Sequence, residues 1–233
     1  MFEREHHRRI AAVLQALDPL RLVSNGCLFG GGTAIALRHG EYRESIDIDF
    51  IVSYREGYRQ LRQWLSQPEG INAIARAGHS LKQAREVRAD QYGIRTLLRV
   101  DNAEIKFEIV LEARIELDPP AADDQVCGVA ALTPLDMLAT KLLANSDRWA
   151  DDAVLSRDLI DIAMMRPSKA LMAQAIAKAE GAYGQSIRTD LRKAIDALRD
   201  RPHRLDHCMR AMRITALPKA ALWARIKALQ PAG

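Results

Sequence analysis

Apolar positions recur every three to four residues over residues 3–17, which predicts an amphipathic helix that Asp18-Pro19 terminates. CLFG, from Cys27, suits a short buried strand. Gly30, Gly31 and Gly32 then make a turn, and TAIALRH from Thr33 reads as a helix ended by Gly40. From Ile46, IDIDFIV alternates strictly and predicts a strand with Ile46, Ile48 and Phe50 in the core. Helical spacing returns over residues 54–66, and residues 71–112 favour strands. TLLRV from Thr96 and EIKFEIVLE from Glu104 flank the turn Asp101-Asn102 and predict a hairpin.

The pattern changes after LDPPAADD, which begins at Leu117 and marks a connection. Thr133-Pro134 is a helix start, and Ser156 is placed to cap the next helix. Beyond it the chain is helical in period, rich in Ala, Leu and Arg, and broken at Pro167, Pro202 and Pro218. There is no internal repeat. The fold class is α/β (α+β): a mixed sheet flanked by helices over residues 1–120, then a helical domain over residues 121–233.

Composition narrows the setting. A chain of 233 residues can bury one core and a small second domain. No run reaches the ~18 to 20 apolar residues of a membrane span. The charged N-terminus lacks the marks of a secretory signal. Cys27, Cys127 and Cys208 are far apart, which argues against a disulfide framework and fits a reducing cytoplasm. The net charge is +4, unevenly spread: from Arg166 onward fourteen Lys or Arg face five Asp or Glu, a balance of +9, and the remainder carries −5. Such a division suits carboxylates that hold cations in front and a polyanion grip behind.

The chemistry centres on Asp47 and Asp49. Strand side chains alternate, so both point the same way, ~6 to 7 Å apart at Cα. Paired carboxylates repel unless a divalent cation lies between them, and oxygen ligands suit Mg²⁺ or Mn²⁺. A bare DxD also fits a solvated strand face. The neighbouring glycine turn changes the weighing, because it exposes N–H groups at a helix N-terminus to an anion. A phosphate cradle beside a metal pair is what phosphoryl or nucleotidyl transfer requires. In EIKFEIV, Glu108 shares the polar face with Lys106 and is the candidate third metal ligand, ahead of Asp101, Glu104 and Glu112; an ordinary edge-strand charge pattern reads equally well.

Lys141 lies in an apolar helix with no acidic neighbour at i±3 or i±4, so it snorkels or reaches a distant partner. Asp158 and Asp161 share a helix face, with Arg157 placed to pair with Asp161. Arg188, Arg192, Lys193 and Arg199, then Arg204, Arg210 and Arg213, form a basic helical surface suited to nucleic acid or to plain solvation. His203 and His207, beside Cys208, have zinc-like spacing but no partner set and read as surface residues.

These residues resemble a known family, the nucleotidyltransferase AbiEii/AbiGii toxins of the DNA polymerase β-like nucleotidyltransferase superfamily. The matching text is GGTAIAL from Gly31, RESIDIDF with Ser45, Asp47 and Asp49, TPLDMLATKLLA with Lys141, and SRDLIDI with Arg157, Asp158 and Asp161. The resemblance implies the nucleotidyltransferase fold, with Lys141 and Asp158 contributed to its cleft from the helical domain. It implies an NTP substrate with Mg²⁺ and transfer of an NMP to an acceptor hydroxyl, RNA and especially tRNA being the acceptor class. Gly31, Gly32, Thr33 and Ser45 would bind the nucleotide, Asp47 and Asp49 the metals. Lys141 would neutralise phosphate, and Asp158 would order the lysine or assist at the acceptor. A cognate antitoxin is the implied protein partner. Thr33 stands where the superfamily often has serine, which keeps a hydroxyl.

Three rivals share parts of the pattern. A small-molecule nucleotidyltransferase would use the same metal pair but has little need of a basic back half. A catalytically inactive binding module has no need of an intact DxD. A dinucleotide binder would show GxGxxG, which GGGTA is not.

Overall fold

The computed structural model describes residues 2–230, apart from the side chain of Pro202, and the chain forms two compact units. Of the described residues, the first comprises 2–37 and 45–133, the second 38–44 and 134–230. The chain passes to the helical unit at residue 134, and β6 (Gln125–Val126) and β7 (Val129–Ala130) belong to the first unit. The short segment 38–44 also belongs to the helical unit, a division that the sequence pattern did not suggest.

The first unit opens with α1 (Glu5–Ala16), which buries Ile10, Val13 and Leu14. Asp18-Pro19 ends α1 as expected and also starts a short helix, α2 (Pro19–Ser24). Asp18 Oδ1 accepts the N–H groups of Leu20 and Arg21 at 3.0 and 3.1 Å, and proline sits at the first helical position. Strand β1 (Leu28–Gly30) runs into α3 (Gly31–Arg38), β2 is Ile48–Val52 and α4 is Arg55–Leu65. Three longer strands follow: β3 (Lys82–Ala89), β4 (Gly93–Val100) and β5 (Ala103–Leu111).

Among the described residues these form a five-stranded mixed sheet in the order β1-β2-β5-β4-β3. Only β2 and β5 pair in parallel. The predicted hairpin is β4–β5. Val100 pairs with Ala103 across the two-residue turn, and Asp101 takes the positive φ that such turns demand. The inward rows carry Ile48, Phe50, Ile105, Phe107 and Ile109, all buried. Phe29, Phe50 and Phe107 pack in series as tilted pairs, with ring centroids 5.5 and 5.6 Å apart. Ile46 departs from the expected alternation. Strand β2 begins only at Ile48, and Ile46 is 55 % exposed, its carbonyl hydrogen-bonded to His6 Nε2 at 3.0 Å.

The helical unit consists of α5 (Pro134–Arg148), α6 (Arg157–Met165), α7 (Lys169–Tyr183), α8 (Ser186–Arg199), α9 (Pro202–Ala211) and α10 (Lys219–Lys227). Helix α5 packs against α6, α7 and α8, and buried Leu138, Leu142, Ile160, Ile176, Leu191 and Ile195 form the core. Ser156 does not cap α6. It sits at φ 51°, outside cap geometry, and its side chain makes no cap bond. The three cysteines are free thiols, and among the described residues no helix is long and apolar enough to cross a membrane.

One packing constraint in the first unit is severe. A Cβ on Gly57, in α4, would lie 2.1 Å from the carbonyl oxygen of Asn25. Gly57→Ala should therefore lower the unfolding free energy by about 1–3 kcal/mol despite its better helix propensity. Urea denaturation checks this, and a gain in stability would contradict the close approach.

Candidate functional site

Asp49 is the central residue of the first unit's polar face. In the sheet register it lies between Gly30 on β1 and Glu108 on β5. Residues opposed in a ladder share a face, so the parallel pairing puts two carboxylates side by side on neighbouring strands. On its other flank Asp49 meets the start of α3. Gly31 opens that helix at φ +68°, and a Cβ there would lie 2.5 Å from Asp49 Oδ2. The carboxylate thus rests against the backbone where α3 begins. The first N–H groups of a helix have no partner within it, and the helix dipole makes this end positive. Gly31 and Gly32 are both partly exposed there.

Asp47 stands just before β2, partly exposed. What fixes it is a buried set of hydrogen bonds. The Thr33 hydroxyl donates to the Asp47 carbonyl at 2.6 Å, so the Ser45 hydroxyl, 2.8 Å away, donates to Thr33. The Ser45 backbone N–H donates in turn to Nε2 of the fully buried His7 at 3.1 Å. Accepting at Nε2 puts the ring proton of His7 on Nδ1. Thr33 and Ser45, expected to touch phosphate, are buried and hold the approach to Asp47 in place.

Glu108 is flanked by cations. Arg95 Nε donates to its Oε1 at 2.5 Å and Lys106 Nζ donates to its Oε2. Burial opposes the charge on Lys106, but Glu108, with Asp49 and Asp47 behind it, holds its pKa above the ordinary lysine value. The donor chemistry of Asp47 and Asp49 fits a hard divalent cation. Glu108 would have to exchange two cationic partners for the metal, and among the described residues no three acidic, histidine or cysteine side chains gather at ligand distance. His203 and His207 lie exposed on α9.

The second unit holds a separate buried charge cluster. Lys141 Nζ lies 2.8 Å from Asp158 Oδ1 and 2.7 Å from Asp161 Oδ2. Asp158 also accepts from Arg148 Nε and Nη2 at 2.7 and 2.9 Å. Asp161 accepts from Arg43 Nε and Nη2 at 2.7 and 3.0 Å, and from the Tyr42 hydroxyl at 2.5 Å. Its partners are thus Arg43, Tyr42 and Lys141 rather than Arg157. Three cations against two carboxylates leave the cluster one positive charge, and Lys141 retains one N–H beyond its two ion pairs. Sequence reasoning missed Tyr42, Arg43 and Arg148. Arg148 could have been found, since it shares a face of α5 with Lys141 two turns away. Arg43 could not, because its partner is 118 positions distant.

Burial alone would raise the carboxyl pKa of Asp158 and Asp161. Lys141 with Arg148, and Arg43 with Lys141, hold both below the carboxylate range. For Lys141 burial works downward, and the two aspartates lift it above the lysine range. Stability from the aspartates is therefore complete above their unfolded pKa near ~4 and fades as pH falls toward the depressed values. Stability from Lys141 is complete below ~10.4 and fades only as pH rises through its raised pKa.

Asp161→Ala, which strands the buried Arg43 and leaves Lys141 to Asp158 alone, should cost about 3–5 kcal/mol by urea denaturation at neutral pH. The deficit relative to the parent should shrink below pH ~4, where protonation begins to weaken the parent's own cluster. A pH-independent deficit would contradict the ionic account. Gly31→Ala should lose about 1–3 kcal/mol from φ strain and the Asp49 clash. An unchanged denaturation midpoint would show that the contact is loose.

Residues 12–229 match the family described as nucleotidyl transferase AbiEii toxin, type IV TA system. The crystal structure of a proposed nucleotidyltransferase from H. pylori superposes with a TM-score of 0.51 at 15 % identity, covering 97 % of this chain and 93 % of that one, a likeness of fold. No functionally curated protein matches the sequence. With its family match spanning nearly the whole chain and its fold that of a nucleotidyltransferase, the chain belongs to the AbiEii nucleotidyltransferase toxin family of type IV toxin–antitoxin systems.

Proposed function

We propose that this chain moves an NMP from an NTP to an acceptor hydroxyl on RNA, with tRNA the foremost acceptor, acting in the cytoplasm as a toxin paired with a cognate antitoxin. The observation that carries the chemistry is the placement of Asp49. It stands beside Glu108 in register and against the glycine start of α3, so cation ligands and a phosphate-seeking helix end adjoin. Family membership supplies the NTP and the antitoxin. Asp47 and Asp49 would hold Mg²⁺ or Mn²⁺, which when bound withdraws charge from the triphosphate and acidifies the acceptor hydroxyl.

The residues divide the work. Gly31 and Gly32 offer backbone N–H groups to the phosphates at the positive end of α3. Thr33, Ser45 and His7 keep Asp47 in place. The acceptor oxygen forms a bond to the α-phosphorus as the bond to pyrophosphate breaks. Glu108, if it leaves Arg95 and Lys106, completes the ligand set. Lys141 offers its remaining N–H to phosphate, with Asp158 holding the ammonium in place.

Incubation with total RNA, Mg²⁺ and each of the four α-labelled NTPs should label RNA with one preferred nucleotide. Asp47→Asn and Asp49→Asn, shown to be folded by their melting curves, should each lose at least about 100-fold in rate. Transfer at the parental rate would refute the assignment. Lys141→Met separates two roles: a phosphate contact raises the apparent KM for NTP in the folded variant, and a purely structural role lowers the melting temperature alone.

A further inference from the structure

We propose that the β3–β4 half of the sheet's polar face, not the basic surface of α8 and α9, holds the phosphodiester backbone of the nucleic-acid acceptor on its way to Asp47 and Asp49. This rests on the nucleotidyl-transfer reading above and adds where the acceptor lies. The register lines up three rows across the sheet. One runs Asp49, Glu108, Arg95, Arg88; the next runs Lys106, Leu97, Arg85; the third runs Glu104, Arg99, Lys82. Strands β3, β4 and β5 together carry six Lys or Arg against three Glu. Lys82, Arg85, Arg88, Arg99 and Lys106 are exposed, and Arg95 is partly so.

The cations nearest the carboxylates have acidic partners: Arg95 and Lys106 on Glu108, and Arg99 on Glu104 at 2.7 Å. On β3 the situation reverses. Among the described residues no ion pair neutralises Lys82, Arg85 or Arg88, so positive charge accumulates toward the outer edge of the sheet. The α8–α9 surface is built differently. There most cations are paired, Arg188 with Glu180, Lys193 with Asp190, Arg199 with Asp196 and Asp200, and Arg201 and Arg204 with Asp152, while among the described residues no ion pair holds Arg192 or Arg210.

Extent decides the kind of ligand. Three interstrand steps from β2 to β3 span ~14 Å, and Lys82 to Arg88 spans up to ~20 Å along the strand. One small anion covers only a fraction of that area. A phosphodiester chain presents anions in series over such a distance, and its affinity comes from just this kind of charge. The face is also continuous with Asp49 through shared ladders, so a backbone lying on it leads to the carboxylates.

The test uses the full chain and fluorescence anisotropy with a labelled single-stranded RNA, a DNA of the same sequence, and total tRNA as competitor, across a salt series. Arg85→Gln/Arg88→Gln should bind RNA at least tenfold more weakly, and its slope of log affinity against log salt should flatten by about 1.4, about 0.7 for each of two lost phosphate contacts. Arg85→Lys/Arg88→Lys should recover most of that loss. Melting temperature and calorimetric affinity for Mg²⁺ with a non-hydrolysable NTP should stay as in the parent. Arg188→Gln/Arg192→Gln on α8 should change RNA affinity less. The proposal is overturned if the β3 variant binds RNA as the parent does, which would leave the face to another partner such as an acidic protein. It is equally overturned if the α8 variant carries the loss, or if the parent binds neither nucleic acid at low salt. A preference for the DNA arm would keep the surface and change the acceptor. Binding is read without turnover, so a chain that grips RNA on β3 yet transfers no nucleotide would overturn the function while leaving this surface standing.

Discussion

The parallel pairing of β2 with β5 is the constraint on which the first unit's chemistry depends. It sets Ile48 against Phe107 and Phe50 against Ile109 on the buried side, and the same register sets Asp49 against Glu108 on the other. A slip of one residue would carry the phenylalanines to solvent and the carboxylates into the core. Hydrophobic burial thus fixes the position of the acidic groups. The antiparallel β1 then brings Gly30 beside Asp49, and the chain turns at once into α3, whose first glycine admits the carboxylate at a distance no side chain would allow.

Much of this was legible in the sequence, for local reasons. The alternation of IDFIV and EIKFEIV identified both strands and placed Asp49 and Glu108 on polar faces. The Asp101-Asn102 turn fixed the β4–β5 hairpin. Ile46 misled because alternation cannot tell where pairing stops: β2 begins two residues later and leaves Ile46 outside the sheet. Thr33 and Ser45 were legible as residues near the site but not in their task, since hydroxyls suit a phosphate or a backbone carbonyl equally. The approach of His7 to Ser45 spans 38 positions and no local pattern signals it. Charge was read too coarsely. Averaged over residues 1–165 the chain is acidic, and the average hid Lys82, Arg85 and Arg88 on β3, for which no ion pair forms among the described residues.

The helical unit shows a complementary arrangement. Lys141 has no acidic neighbour at i±3 or i±4 on its own helix, which left snorkelling or a distant partner open, and the partners are Asp158 and Asp161 on α6. Burying four charges, with the half-buried Arg148 beside them, is costly unless each is paired, and here each carboxylate meets two cations. The cluster also ties residues 38–44 into the helical unit through Tyr42 and Arg43, two residues before the chain returns to the first unit at Ser45. The segment that leads to Asp47 is therefore bounded by two buried anchors, the Asp161 cluster and the Thr33–Ser45–His7 set.

Asp47 and Asp49 are proposed to form a cation site in the folded chain. Titration of Mn²⁺, followed by electron paramagnetic resonance with a non-hydrolysable NTP present, tests it without turnover. Tight Mn²⁺ binding by the parent, lost in a folded Asp47→Asn/Asp49→Asn variant, is the predicted result. Equal Mn²⁺ affinity in parent and variant would contradict it.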